Sequence, residues 1–252
     1  MKIRIIGYGR LAQSLIPNWI KNHDIVASSP NIQSHTKIHC IHENKQFLDA
    51  NVIILCVKPQ LIGTVLSEIG MHIPNHSVII STAAGLSLKQ IKGYLSSSIQ
   101  VYRAMPNIAA SIGKSATLLY GDSHSSLVES LFLEIGQIDW VDNDDILDLG
   151  TILAGSGPAY FYYFMQQLQK SIVDLGMPED LAKKLILQTG LGATQLAQQA
   201  SISLEALQQQ VTSPKGTTAA AIDIFENAHL GEILQDGLNA AWQRVLKLRT
   251  EI

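Results

Sequence analysis

The stretch that decides the fold is IRIIGYGRLA, residues 3–12, where a run of β-branched residues leads directly into a glycine-rich turn. The turn matches the pattern G-x-G-x-x-A: Gly7 allows a tight bend, Gly9 lets the backbone approach a pyrophosphate, and Ala12 lets the helix pack closely on the strand. The following helix offers free amides and the positive end of its dipole to a phosphate. The segment therefore predicts a dinucleotide-binding turn, and a tight turn without a ligand is the alternative. The residues of the turn are Gly7, Tyr8, Gly9, Arg10, Leu11 and Ala12.

The rest of the first half continues this alternation of strand and helix. Several of its strand candidates are apolar throughout, which is typical of a parallel sheet covered on both faces. The pattern predicts a Rossmann-like, doubly wound α/β domain over residues 1–146. Candidate strands lie at 3–6, 24–28, 52–57, 77–81, 100–104, 115–120 and 138–141, and candidate helices at 10–21, 60–69 and 87–95.

After about residue 144 the strand patterns stop and helical patterns take over. We therefore predict a second, all-helical domain over residues 147–252. Its segment 178–199 has leucines at spacings that leave much of the helix surface apolar, and a small helical domain cannot bury all of that surface by itself. The second domain is therefore predicted to dimerise. Its helical patterns lie at 144–153, 158–175, 178–199, 204–209, 217–227 and 230–249.

The composition favours a folded globular protein over a disordered, nucleic-acid-binding or membrane protein. The chain has 252 residues, of which 46% are apolar and 15% charged, with a formal net charge of −3. It shows no basic stripe for nucleic acid and no apolar run long enough to span a bilayer. The start lacks the pattern of a signal peptide, and two cysteines are too few for a disulfide framework. We therefore expect a cytoplasmic protein with neither a nucleic-acid nor a membrane partner.

The end of the second predicted strand bears on the choice of cofactor. NAD-preferring sites usually carry an acid there, which binds the ribose 2′-hydroxyl. This chain reads VASSPN at residues 26–31, with Ser28 and Ser29 at that place. Hydroxyls can donate to a 2′-phosphate, and the missing carboxylate removes repulsion. The pattern favours NADPH, although SSPN is also a composition typical of a simple turn.

Two further apolar strands end in small or polar residues. In open α/β folds, ligands bind at the carboxyl ends of the strands, so both ends are predicted to border the nicotinamide. Lys58 is either an aid to an anionic ligand or a solvated surface lysine. The residues concerned are Val57, Lys58 and Pro59 after VIILC, and Ala83, Ala84 and Gly85 after VIIST.

Six motifs, in chain order, resemble those of the pyrroline-5-carboxylate reductase family: IGYGRLA, VKPQ, STAAG, RAMPN, AGSGPAY and SPKGTT. The resemblance covers essentially the whole chain, and RAMPN together with SPxGTT is highly specific. It implies that NADPH, with NADH as an alternative, delivers a hydride to the C=N carbon of 1-pyrroline-5-carboxylate and gives L-proline. This reaction is the last step of proline biosynthesis. The resemblance also implies a homo-oligomer built from dimers, with a decamer as one candidate size.

Site residues follow from the same resemblance. The cofactor would be bound by the turn residues 7–12, by Ser28, Ser29 and Asn44 on the adenosine side, and by Val57, Lys58, Pro59, Ala83, Ala84, Met105, Pro106 and Asn107 near the nicotinamide. The substrate would be bound by Val211, Ser213, Gly216, Thr217 and Thr218. Thr218, which would hydrogen-bond the ring nitrogen, is the first catalytic candidate, and Lys58 is the second.

The segment VTSPKGTTAAA, residues 211–221, suits the carboxylate of such a substrate. A helix N-terminus presents free N–H groups and a partial positive charge. Ser213 would contribute its hydroxyl, and Gly216 and Thr217 their amides; plain helix capping is the alternative. The family usually has glycine where Lys215 stands. If that position needs a positive φ, Lys215 is strained by roughly 1 kcal/mol, and if not, its charge adds attraction.

Other patterns are weaker. The segment IHCIHE, residues 38–43, contains His39, Cys40, His42 and Glu43, but alternate residues of an extended segment point to opposite faces, so we predict no metal site. Two other functions remain as alternatives. One is a related two-domain, NADP-dependent reductase of another small acid. The other is a catalytically silent nucleotide-binding protein, to which the exchange at Lys215 points.

Overall fold

The structure is a computed structural model that describes residues 1–30, 38–46 and 48–251. The chain forms two compact units, which are described separately below. The first unit comprises Met1–Pro158 and Ala241–Ile252, and the second comprises Ala159–Ala240. No helix among the described residues is long and apolar enough to cross a membrane.

The described part of the first unit is built on one eight-stranded sheet. The strands are β1 Lys2–Ile6, β2 Asp24–Ser28, β3 His39–Ile41, β4 Val52–Leu55, β5 Val78–Ser81, β6 Gln100–Met105, β7 Ser115–Gly121 and β8 Gly136–Trp140. Their spatial order is β3-β2-β1-β4-β5-β6-β7-β8. The first six strands in this order are parallel, β7 is antiparallel to β6, and β8 is parallel to β7. The order 3-2-1-4-5-6 confirms the predicted Rossmann-like, doubly wound fold.

Helices cover both faces of this sheet. Those of the first unit are α1 Arg10–Trp19, α2 Pro59–Ile69, α3 Leu88–Lys92, α4 Ser126–Leu133 and α5 Asp144–Gly150. Along β1 the side chains alternate, so that Ile3 and Ile5 pack in the layer that contains α1, and Ile6 packs in the layer that contains α2. The sheet is therefore buried on both faces, as its apolar strands predict.

The described residues of the second unit are helical. They comprise α6 Gly157–Asp174, α7 Glu179–Gln199, α8 Leu204–Gln210, α9 Thr217–Asn227 and α10 Leu230–Thr250, of which α6 begins and α10 ends in the first unit. Many large apolar side chains stay exposed, among them Phe161 at 63% and Leu196 at 67%. An apolar surface of this extent marks a protein–protein interface.

The predicted domain boundary after residue 146 differs from the division into units. The first unit continues to Pro158, because α5 is held to the sheet by buried ion pairs that join Asp148 to Arg103 of β6. The change from strand to helix near residue 144 marks a change of secondary structure, whereas the unit is defined by packing. The predicted helix 144–153 is also divided, into α5 and a π-helical turn at Thr151–Gly155.

Candidate functional site

Four loops meet at the carboxyl edge of the sheet because the strands before them are in register. Ile6 at the end of β1 pairs with Ser28 of β2 on one side and with Leu55 of β4 on the other, and Leu55 pairs with Ser81 of β5. The residues that follow these strand ends therefore lie along one crevice. In open α/β folds this crevice is where a dinucleotide binds.

Gly7 begins the first of these loops in a conformation that other residues rarely adopt. Its φ is +97°, and a Cβ added to it would lie 2.6 Å from the carbonyl oxygen of Cys56. Its amide donates to the Ser28 carbonyl oxygen over 2.8 Å. Only glycine fits here, because the turn is pressed between the ends of β2 and β4. The predicted tight bend at Gly7 is therefore present.

Gly9 stands at the N-cap of α1, and a Cβ added there would meet nothing within 4 Å. The first intrahelical bond of α1 runs from the Gln13 amide to the Gly9 carbonyl over 3.0 Å. The three earlier amides, on residues 10–12, have no hydrogen-bond partner within the described part of the chain. An open helix N-terminus with an exposed arginine, Arg10, beside it fits the pyrophosphate of a dinucleotide.

On the adenosine side, the two serines have different surroundings. Ser28 is fully buried, and its hydroxyl donates to Asn44 Oδ1 over 2.8 Å. The Asn44 amide in turn donates to Glu68 over 3.2 Å. Ser29 is only half-buried, so its hydroxyl is the more accessible of the two. The structure thus brings Ser28, Ser29 and Asn44 together, and it gives Ser28 an internal hydrogen bond that the sequence did not indicate.

The nicotinamide-side candidates follow β4 and β5. A Cβ on Gly7 would also lie 2.9 Å from the side chain of Val57, so the phosphate turn and the end of β4 are in contact. Thr82 links β5 to β4 through its hydroxyl, which donates to the Leu55 carbonyl oxygen over 3.1 Å. Lys58 is exposed at the N-cap of α2, and Pro59 begins that helix. Ala83 is buried and Ala84 half-buried.

The three candidates at the end of β6 are buried, and Asn107 has partners inside the protein. Its side-chain oxygen accepts from the Ala109 amide over 3.0 Å, and its side-chain nitrogen donates to the Ala154 carbonyl over 3.0 Å. Its own amide donates to the Ser115 hydroxyl over 3.0 Å. Met105 and Pro106 beside it are also buried. Asn107 therefore ties the end of β6 to the π-helical turn, and a direct contact of its side chain with the cofactor stays a prediction.

Sequence reasoning missed a cluster of buried charges next to this edge. Arg103 is fully buried in β6 and contacts Asp144 at 2.5 Å and Asp148 at 2.6 Å. Arg249 of α10 contacts the other oxygen of Asp148 at 2.8 Å and Asp145 at 2.7 Å. The signal was the arginine inside the buried strand QVYRA, because a buried guanidinium needs a carboxylate partner.

The substrate motif lies in the second unit and forms a turn that leads into α9. The Gly216 amide donates to the Ser213 carbonyl oxygen over 3.0 Å, and Lys215 has a φ of +63°. Proline followed by a residue of positive φ is the pattern of a type II turn. A Cβ on Gly216 would lie 2.4 Å from the Ser213 hydroxyl oxygen, so glycine is required there and the hydroxyl lies beside the N-cap.

The N-terminus of α9 is open. Its first intrahelical bond runs from the Ala220 amide to the Gly216 carbonyl over 3.1 Å. The amides of residues 217–219 have no partner within the described residues, so capping by a side chain does not occupy them. Thr217 is exposed and Thr218 half-buried, and Val211, at the end of α8, is 69% exposed. The arrangement can accept an anion at three amides and one hydroxyl.

Comparison with known proteins covers both units. The family description "Pyrroline-5-carboxylate reductase dimerisation" matches residues 144–248, and "NADP oxidoreductase coenzyme F420-dependent" matches residues 2–85. The chain is 32% identical to a pyrroline-5-carboxylate reductase of Pseudomonas aeruginosa, over 100% of this chain and 98% of that protein.

Solved structures agree with this similarity. A pyrroline-5-carboxylate reductase from Coxiella burnetii, 32% identical, superposes with a TM-score of 0.84 over 98% of this chain and 97% of that one. A pyrroline carboxylate reductase of Plasmodium falciparum, solved with NADP bound, gives a TM-score of 0.91 over 99% of this chain and 98% of that one. At 22% identity, the second match shows the shared fold.

Proposed function

The chain belongs to the pyrroline-5-carboxylate reductase family, and on that premise we propose that it reduces 1-pyrroline-5-carboxylate to L-proline with a hydride from NADPH. The observation that carries the proposal is the open N-terminus of α9 behind the motif SPKGTT, with three unpaired amides among the described residues and the Ser213 hydroxyl beside them. This chemistry suits the carboxylate of a small ring substrate. The full-length similarity to the Pseudomonas aeruginosa reductase supports the same reaction.

NADPH is the cofactor that the first unit fits. The turn at residues 7–12 and the free amides of α1 would hold its pyrophosphate, and the partly exposed Ser29 would donate to the 2′-phosphate. The strand β2 ends in Ser28 and Ser29 where NAD-preferring sites carry a carboxylate, which removes that source of repulsion for the phosphate. When bound, NADPH supplies the hydride. NADH is the alternative cofactor, since no arginine stands next to the two serines in the sequence.

The residues of the second unit would bind and orient the substrate. The Thr217 amide, the two amides that follow it and the hydroxyl of Ser213 would hold the carboxylate, with Val211 at the rim. The Gly216 amide, which the sequence also suggested for this role, donates to the Ser213 carbonyl oxygen instead, so Gly216 would contribute by shaping the turn. Thr218 would hydrogen-bond the ring nitrogen and so fix the direction of the C=N bond. A carboxylate at a helix N-terminus is stabilised by the helix dipole, typically by about 0.3–1 kcal/mol on an exposed surface.

The reaction needs little acid–base chemistry from the protein. The protonated imine is already electrophilic, so hydride addition to its carbon gives a neutral amine that retains the nitrogen-bound proton. Water then supplies the proton that makes the amine an ammonium group. Positioning and electrostatics therefore supply the catalysis. Lys58, exposed beside the end of β4, is the second candidate after Thr218 and would act on an anionic group.

The test is steady-state oxidation of NADPH in the presence of 1-pyrroline-5-carboxylate, repeated with NADH. We expect turnover with both cofactors and a higher kcat/KM with NADPH. Turnover of another small acid in preference to the imine would replace the proposal by the related-reductase alternative. Binding of NADPH without turnover of any imine would leave the catalytically silent protein.

We also propose that the protein is a homo-oligomer built from dimers, up to a decamer, and that it acts in the cytoplasm. The dimerisation family description and the exposed apolar surface of the second unit support association of copies. The proposed use of NADPH suits a reducing compartment. So do the two free cysteines, because disulfides are rare where thiols are kept reduced. Light scattering of the purified protein gives the size of the assembly.

A further inference from the structure

We propose that Arg249, near the end of α10, is a positioning residue for the nicotinamide end of the cofactor, which it orients through Asp148 and the loop Ala83–Gly85. The inference rests on the proposed function, because it assumes that NADPH binds along the crevice at the carboxyl edge of the sheet. All the residues involved belong to the first unit.

The loop Ala83–Gly85 has no side chain of its own that could hold it in place. Instead, its two ends are bonded to one buried ion cluster. The carbonyl oxygen of Ala83 accepts from the Arg103 guanidinium over 3.3 Å, and the amide of Gly85 donates to Asp148 Oδ1 over 3.4 Å. The conformation of the loop therefore depends on where Arg103 and Asp148 hold their charged groups.

Asp148 is held from two sides. Its side chain is 1% exposed, Oδ1 accepts from Arg103 over 2.6 Å, and Oδ2 accepts from the Arg249 Nε over 2.8 Å. Because each oxygen has its own guanidinium, rotation of the carboxylate would break one charge-assisted bond. Arg249 thus keeps Oδ1 directed at the Gly85 amide. Without Arg249, Oδ1 of Asp148 would still accept from Arg103 and from the Gly85 amide, whereas the buried Oδ2 would lose its charged partner.

The last turn of α10 also lies directly over the loop. A Cβ added to Gly85, whose φ is +73°, would lie 3.1 Å from the Leu248 Cβ and 3.3 Å from the Arg249 amide nitrogen. The Arg249 guanidinium also lies over the Trp242 ring, 5.5 Å from the ring centroid, in a cation–π contact. Backbone packing and the ion pair therefore act on the same short loop.

The loop follows β5, two strands further along the sheet than β1, which leads into the phosphate turn. A dinucleotide laid across the crevice has its adenosine at β2 and its nicotinamide beyond β4. Loss of Arg249 should therefore disturb the nicotinamide half of NADPH and leave the adenosine half bound as before. A variant that merely destabilised the whole protein would weaken the binding of both halves of NADPH.

The experiment compares two ligands on the full-length protein. NADPH and 2′-phospho-ADP-ribose share the adenosine half and the pyrophosphate, but only NADPH carries the nicotinamide. For Arg249→Met we expect the Kd of NADPH, measured by its fluorescence, to rise about fivefold, which corresponds to about 1 kcal/mol. The Kd of 2′-phospho-ADP-ribose, measured by calorimetry, should stay within about twofold of the wild-type value, and kcat should fall.

Two further variants complete the test. Arg249→Lys keeps the positive charge and should recover part of the NADPH affinity. Arg244→Met is the matched control, because Arg244 lies on the same helix, is 56% exposed and pairs with Glu251 at 2.9 Å. It should change neither Kd. The melting temperature of each variant shows whether the fold is retained.

The outcomes separate the inference from the proposed function. Equal weakening of both ligands in Arg249→Met and Arg249→Lys, or no weakening in either variant, would overturn the positioning role. A wild-type protein that binds NADPH but does not reduce 1-pyrroline-5-carboxylate would contradict the proposed function, while the two-ligand comparison would still test Arg249.

Discussion

Lys215 occupies a backbone conformation that costs energy for any residue with a Cβ. Its φ is +63°, in the left-handed region, and its side chain is exposed. Left-handed geometry costs an L-residue about 1–2 kcal/mol, whereas glycine adopts it freely. The sequence left two interpretations of this position open, strain or added charge. The structure shows the strain, and the contribution of the charge remains to be measured.

We predict that Lys215→Gly makes the protein more stable. Relief of the strain exceeds the entropy that glycine adds to the unfolded chain, so the free energy of unfolding should rise by about 0.5–1 kcal/mol. Urea denaturation of the purified protein measures this change. Lys215→Ala is the control, since it removes the charge and keeps the Cβ; it should give no gain in stability. If both variants raise the KM for the imine equally, the lysine charge attracts the carboxylate.

Thr218 is the residue on which the proposed orientation of the substrate depends. Thr218→Ala should lower kcat/KM by ~10–100-fold, because a hydrogen bond that involves a charged group is worth ~1.5–3 kcal/mol. Steady-state kinetics with saturating NADPH measures the effect. Thr218→Ser keeps the hydroxyl and should retain most of the activity. An unchanged rate in the alanine variant would mean that Thr218 does not contact the ring nitrogen.

At the scale of elements, the end of β2 is the place where we predict that the choice of cofactor is made. The double variant Ser28→Ala, Ser29→Ala should raise the KM for NADPH more than the KM for NADH, because it removes the hydroxyls that would reach the 2′-phosphate. Kinetics with both cofactors measures the ratio. An equal rise for both would show that the serines do not contact this phosphate.

Single variants at the end of β2 separate the contribution of Ser28 to the cofactor preference from that of Ser29. The Ser28 hydroxyl is buried and donates to Asn44, whereas that of Ser29 is partly exposed. We therefore expect Ser29→Ala to reproduce most of the cofactor effect. Ser28→Ala should act mainly on stability, by about 1 kcal/mol, since it removes the hydrogen bond between the buried Ser28 hydroxyl and the partly buried Asn44 side chain.

Elements with a strong local pattern could be predicted from the sequence. The helix predicted at residues 217–227 agrees with α9, and the strand predicted at 24–28 agrees with β2, because proline, glycine or polar residues flank a clear apolar period. The three-residue strand β3 and the helix α4 were missed. A three-residue strand is too short for a period of two to be recognised, and its formation depends on pairing with β2.

The residues of the candidate site likewise fall into those that could be predicted from the sequence and those that could not. Gly7 and Gly216 could be placed from the sequence, because each belongs to a short motif that is contiguous in the chain, GYGRLA and SPKGTT. The pairing of Asp148 with Arg103 and Arg249 could not, since it joins residues 45 and 101 positions apart in the chain. Such contacts are set by the fold of the whole unit and leave no local period in the sequence.

At the scale of the whole molecule, the second unit leaves many of its large apolar side chains exposed. A groove of about 410 Å³ between α6 and α7 is lined almost entirely by apolar side chains, and Leu168 and Leu185 at its border are 55% and 47% exposed. Because the dimerisation description matches this region, the groove is expected to be covered by a second copy of the chain. Assembly and folding of this unit are then coupled.

Leu185→Asp should therefore weaken the assembly. It places a charge at a surface that association would bury, and an unpaired buried charge costs several kcal/mol, which exceeds what one lost leucine contact would cost. Light scattering over a range of protein concentrations should show smaller species than in the wild type. Gln198→Asp is the matched control, because it adds the same charge at an exposed position of α7 on the opposite side of the helix. If both variants dissociate, the added charge, and not its place in the apolar groove, controls association. If the Leu185→Asp assembly stays intact, the interface lies elsewhere on the second unit.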